Sequence, residues 1–199
     1  MFLKKMFSFF LVFATVGVMA QKNDRVYHHL IFEIGSVDLE ENSARFAEVF
    51  AEFGVEPGSL IFDLSGDAFH ISETTHFRKH FALEGSVFYF DKSYVVEQDG
   101  LTRLEGRHYG FTLFSMGKWP LFKGIVAYGK GGATYGRAEY RIEGNTVRSG
   151  LDKNQGALAW GAGAYWEWQK RLVVKLDYTT TAVTDLDADS TTLGLGFRF

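Results

Sequence analysis

Thr191-Thr-Leu-Gly-Leu-Gly-Phe-Arg-Phe199, at the end of the chain, decides the fold. In an extended strand, side chains alternate between two faces. Leu193, Leu195, Phe197 and Phe199 then share one face; Thr192, Gly194, Gly196 and Arg198 share the other. A strand that is large and apolar on one side and small or charged on the other suits a wall between lipid and a polar interior.

The same alternation recurs upstream. Val26 to Val37 sets Leu30, Phe32 and Ile34 against His29, Glu33 and Gly35. Asp67 to Phe77 sets Phe69 and Ile71 against His70, Ser72, Thr74 and His76. Glu73 falls on the apolar side, which predicts a bulge or register change nearby. Phe81 to Phe90, Leu104 to Ser115, Leu121 to Lys130, Gly156 to Trp168 and Leu172 to Thr180 complete the set. Eight strands result, ten being the alternative count. Short turns are expected at residues 78–80, 116–119 and 169–171, and long connections at 38–66, 91–103, 131–155 and 181–190. Residues 131–155 read equally as two strand extensions around Gly144-Asn145. Short turns on one side and long loops on the other are the asymmetry of outer-membrane barrels. In the first long connection, Phe46, Val49, Phe50 and Phe53 recur at helical spacing between Asn42-Ser43 and Gly54, predicting a short helix in an extracellular loop. The expected fold is an eight-stranded antiparallel up-and-down transmembrane β-barrel carrying that helix. A soluble barrel would place its large apolar residues inside, the reverse of this pattern.

Residues 1–20 read as a signal peptide, with Lys4 and Lys5 ahead of an apolar run and Val18-Met-Ala20 at the cleavage position. The run is short for a membrane helix, which needs about 17–25 residues. The expected mature domain is residues 21–199. Without Lys4 and Lys5 the 21 basic residues become 19 against 24 acidic, a net charge near −5, which argues against nucleic acid. There is no cysteine, so no disulfide holds this exported chain. With 20 Phe, 9 Tyr, 4 Trp and 22 Gly against 2 Pro, the composition favours long strands with lipid-facing rings.

Pro120-Leu-Phe-Lys-Gly-Ile-Val-Ala-Tyr-Gly129, Gly161-Ala-Gly-Ala-Tyr-Trp-Glu-Trp168, Leu176-Asp-Tyr178 and the closing Leu-Gly-Leu-Gly-Phe-Arg-Phe resemble strands of the OmpA/opacity-type small outer-membrane barrels. That resemblance implies a bacterial outer-membrane location, and the peptidoglycan-binding domain of larger members is not expected here. Leu193, Leu195, Phe197 and Phe199 resemble the C-terminal signal read by the assembly machinery. Implied partners are outer-membrane lipid and lipopolysaccharide, that machinery, and a host or envelope protein reached through the loops.

Three groups of residues could carry chemistry. Glu33, Glu84, Lys123, Glu167, Lys175, Asp177 and Arg198 are expected to form a lumenal charge network filling the barrel, the alternative being a small-solute path. His70, Ser72 and Glu84 combine a base, a hydroxyl and an acid at a spacing similar to that of outer-membrane lipid A deacylases. The Asn-Gly after that family's serine is missing and all three side chains should face the lumen, so hydrogen bonding inside the barrel is the expected role. Asp185-x-Asp187-x-Asp189 begins like a calcium loop, but Ser190 and Gly196 stand where its glycine and glutamate belong. No enzyme activity, metal or cofactor is expected.

Overall fold

The computed structural model describes residues 26–40, 61–63, 65–98, 101–142, 153–183 and 186–199. They form strands β1 (Tyr27–Glu40), β2 (Ile61–Asp63), β3 (Ser65–Arg78), β4 (Phe81–Gln98), β5 (Leu101–Phe122), β6 (Ile125–Ile142), β7 (Lys153–Trp168), β8 (Leu172–Val183) and β9 (Leu186–Arg198). β2 and β3 pair with β4 in one continuous register (Ile61↔Glu97, Asp67↔Asp91), so the nine segments make eight staves. All pairings are antiparallel, and β1–β9 and β4–β5 contacts close the sheet on itself.

The alternation read from the sequence becomes the two faces of this wall. Phe32, Ile34, Phe69, Phe111, Leu113, Trp160, Leu176, Leu193, Leu195 and Phe197 point outward and are exposed. Glu33, His70, Ser72, Glu84, Lys175, Asp177 and Thr192 point inward and are buried. Following strand partners once around the wall from Phe81, through Gly117, Gly129, Ala162, Tyr178, Thr191, Ser36 and Asp67, returns to β4 at Asp91. The walk has climbed 91 − 81 = 10 residues. Eight strands with that shear tilt by about 40° and leave an interior that side chains can fill.

The wall is not of even height. β4, β5 and β6 have 18, 22 and 18 residues, whereas β8 and β9 have 12 and 13. A tilted strand crosses the bilayer in about 9–11 residues. With the shear allowed for, the extracellular ends of β4 and β5 stand roughly 15 Å above those of β8, β9 and β1.

Several boundaries differ from expectation. The β5–β6 turn lies at Lys123-Gly124, not at 116–119, because these two residues take the positive φ values (41° and 84°) of a tight hairpin turn. Gly117, read as the turn glycine, instead lies under the Trp119 indole, whose ring would meet an added Cβ at 3.5 Å. The polar stretches 91–103 and 181–190 are largely strand: β4 runs to Gln98, β5 resumes at Leu101, β8 reaches Val183 and β9 starts at Leu186. Above the bilayer an outward face needs no apolar residues, so backbone pairing continues where alternation stops. Residues 131–155 take the strand-extension form, β6 reaching Ile142 and β7 starting at Lys153. The helix expected at 42–54 lies outside the described residues. No register shift occurs at Glu73: β3 pairs with β4 without a break from Asp67 to His76, and the shift lies at the turn between His76 and Arg78. Glu73 does occupy the outward face, 3.5 Å from His28 Nδ1, which also meets Thr75 Oγ1 at 3.1 Å.

Candidate functional site: a three-tier lumen

The middle of the lumen is ionic. Lys175 extends from β8 to Glu33 of β1 (3.0 Å) and Glu84 of β4 (2.8 Å). Lys130 of β6 bridges Glu84 (2.8 Å) and Asp177 (2.7 Å). The carboxylates' remaining capacity is taken by hydroxyls: Ser72 and Thr192 donate to Glu33, Thr74 to Glu84, and Thr179 and Tyr128 to Asp177. Three carboxylates and two ammonium groups, all buried, are thus tied across four strands, β1, β4, β6 and β8. Such a network holds only when every member is satisfied, because an unpaired buried charge is costly. Gly194 leaves room for it: a Cβ there would come within 2.8 Å of Glu33 Cγ and 2.7 Å of Ile31.

The periplasmic end is a second polar tier. Lys118 Nζ lies 2.8 Å from His76 Nδ1, and His76 Nε2 lies 3.0 Å from His29 Nδ1. His29 Nε2 meets Glu167 Oε1 obliquely at 3.1 Å, and Arg198 donates to Glu167 Oε2 at 2.8 Å. Tyr27 stacks on His76 (4.4 Å between centroids) and lies under the Arg198 guanidinium at 3.7 Å. An apolar cluster of Ile31, Ala82, Met116, Tyr128, Tyr165 and Val173 separates the two tiers. The extracellular third is mainly apolar, with Phe88 and Phe90 stacked at 4.9 Å and Val37 and Leu39 buried.

The seven residues expected to line the lumen therefore divide. Glu33, Glu84, Lys175 and Asp177 meet in the middle tier, and Glu167 and Arg198 pair at the periplasmic mouth. Lys123 does not take part, since the turn carries its side chain out to the surface. Lys130 and Lys118 supply the cations instead, and neither stood out in the sequence. Placing the turn at 116–119 put Lys118 outside the wall. Tyr128 and Lys130 share the inward face of β6.

His70, Ser72 and Glu84 are all inward, but Ser72 and Glu84 are bonded to other partners and neither is bonded to His70, whose Nε2 is buried without a hydrogen bond. Ser72 donates to Glu33 at 2.6 Å, Glu84 is held by Lys130, Lys175 and Thr74, and His70 packs on Phe88 and Phe90. Of the aspartates, Asp185 lies outside the described residues, Asp187 is exposed, and Asp189 accepts from Tyr178 (2.8 Å) and Thr180 (2.7 Å). Among the described residues no group of three His, Cys, Asp or Glu side chains is placed to hold a metal ion. Leu193, Leu195, Phe197 and Phe199 form an outward stripe with exposures of 59, 53, 58 and 62%. The last residue is zipped to β1 by backbone bonds between Phe199 and His28 in both directions (2.9 and 3.0 Å).

Comparison with solved structures finds the same architecture in proteins of distant sequence. Ail, the attachment invasion locus protein of Yersinia pestis, superposes with a TM-score of 0.58 at 17% identity, covering 89% of this chain and all of its own. Neisserial surface protein A gives 0.55 at 9% identity, covering 87% of this chain and 97% of that one. OprG of Pseudomonas aeruginosa gives 0.53 at 12% identity, covering 87% and 95%. Ail has also been solved in complex with the heparin analogue sucrose octasulfate. At these identities the likeness carries the fold alone. No curated protein matches the sequence. The family described as "outer membrane protein beta-barrel domain" matches residues 8–199. The chain therefore belongs to that family and is a β-barrel protein of the bacterial outer membrane.

Proposed function

We propose that this barrel is a sealed scaffold that acts from its extracellular end, presenting loops to a host surface, lipopolysaccharide or another envelope protein. The observation that carries the reading is the middle tier. Lys130 and Lys175 bridge carboxylates of β1, β4 and β8 across the full width of the lumen, leaving no row of unpaired charges for a solute to follow. The tall β4–β6 wall supports it further, because strands longer than the bilayer needs give the loops a rigid pedestal. Binding residues concentrate on loops set on rigid scaffolds. In the same reading, residues 1–20 are removed after Ala20, and the outward stripe ending at Phe199 is what the insertion machinery recognises. The lumenal commitments of Ser72 and Glu84 favour a non-enzymatic barrel.

The test is to replace residues 43–58 and 143–152 with short Gly-Ser links and compare binding of whole cells and lipopolysaccharide vesicles. The expected result is a heat-modifiable, correctly inserted barrel that has lost binding. Full binding by the trimmed barrel would overturn the proposal.

A further inference from the structure

The periplasmic tier has a feature the middle tier lacks: its bonds run in one direction. An ammonium is a donor only, with no acceptor. Lys118 Nζ, 2.8 Å from His76 Nδ1, therefore requires that nitrogen to be bare. The His76 proton must then sit on Nε2 and point at His29 Nδ1, 3.0 Å away, which must be bare in turn. The His29 proton is left on Nε2, 3.1 Å from Glu167 Oε1 but too oblique for a hydrogen bond, so this link is an electrostatic contact, while Arg198 fills the other carboxylate oxygen. Every proton position follows from the one before it, and both imidazoles are neutral. No nitrogen in the chain has room for another proton. Adding one to His76 Nδ1 would set two donors against each other beside Lys118; adding one to His29 Nδ1 would break the bond between the rings.

We propose that this chain is an acid-released clasp on the periplasmic mouth of the barrel. It ties β1, β3, β5, β7 and β9, and it can take up protons only by letting go. The groups facing the two rings are Tyr27 of β1, Lys118 of β5, Tyr165 and Glu167 of β7, and Arg198 of β9. His28 lies on the same strand but points to the opposite face, against Glu73 and Thr75. Among the groups facing one another here, only the His29 and His76 rings have ordinary values near neutrality; those of Tyr27, Lys118, Tyr165, Glu167 and Arg198 lie below about pH 5 or at about pH 10 and above. The sign follows. A ring held neutral when the clasp is closed and free to protonate near pH 6.5 when it is open contributes fully above that pH. Its contribution falls away as the pH drops below it. Between about pH 7 and about pH 5 the open fraction rises about twenty-five-fold for one such ring and several hundredfold for two.

Amide hydrogen exchange on the refolded mature barrel in phospholipid nanodiscs reads that opening, after correction for the intrinsic pH dependence of exchange. The backbone amides of residues 27–29 and 75–77 are expected to lose at least a hundredfold in protection between these two pH values. In the double variant His29→Gln, His76→Gln, which keeps His28, the change should be under about threefold. If the double variant does not fold, His76→Gln alone should keep only the single-ring response of about twenty-five-fold. Ring nitrogen shifts at neutral pH should place the proton on Nε2 of both residues. An equal pH response in wild type and variant, no response in wild type, or a proton on Nδ1 of either ring would overturn the proposal.

Discussion

The middle and periplasmic tiers of the lumen perform the same task with different chemistry. The middle tier is held by full charges: Lys130 and Lys175 sit within 3.0 Å of Glu33, Glu84 and Asp177, all buried. The periplasmic tier is held by a relay of neutral rings between Lys118 and Glu167, and its outer pair, Arg198–Glu167, is partly exposed. Buried charge pairs are strong as long as both partners stay, and removing one is costly. Exposed pairs contribute little. The contrast teaches that the barrel is locked at its centre and adjustable at its mouth.

The largest expected effect is at the lock. Lys175→Met leaves Glu33 and Glu84 each short of a cation and should cost about 3–5 kcal/mol, read as a shift in urea unfolding in lipid vesicles. A loss under about 1 kcal/mol would mean the middle tier is not the lock. Next comes the closing strand. Deleting Phe199 removes the residue that zips β9 to β1 and should lower outer-membrane levels severalfold, with little effect on any lumenal property. Wild-type levels of the truncated protein would overturn the proposed role of that stripe in assembly. Gly194→Ala should destabilise by about 1–3 kcal/mol, because the added methyl presses on Glu33 and Ile31 from inside the wall. Arg198→Gln should be the mildest, about 0–1 kcal/mol, since the guanidinium is partly in water. A cost equal to that of Lys175→Met would erase the distinction between the tiers.

The spanning part of the fold was legible because lipid outside and filled lumen inside impose a period of two on every strand. The outward facing of Phe69, Leu113 and Trp160 follows from that period alone. Legibility ended where the bilayer ends. Above it, the end of β4 pairs through the backbone without the apolar outward face that lipid imposes, so polar sequence looked like loop. Turn placement failed for a related reason. Gly117-Lys118 and Lys123-Gly124 both offer a glycine beside a lysine, and only the pairing of β5 with β6 shows which pair turns. That five-residue error exchanged the outer Lys123 for the inner Lys118. The acids of the network were easier to find than its lysines, because Glu33, Glu84 and Asp177 lie in the middle of well-alternating segments. The histidine relay was invisible, since no local pattern tells which residues of β1, β3, β5 and β7 meet at one level of the barrel.

The central claim, a lumen closed by its own side chains, is tested most directly by planar-bilayer recording of the refolded mature protein at about pH 7. The account predicts silence from folded wild-type barrels, with current steps appearing when the lock is removed by Lys130→Ala, Lys175→Ala in combination. Reproducible unitary steps from wild type, unchanged by that double substitution, would contradict it.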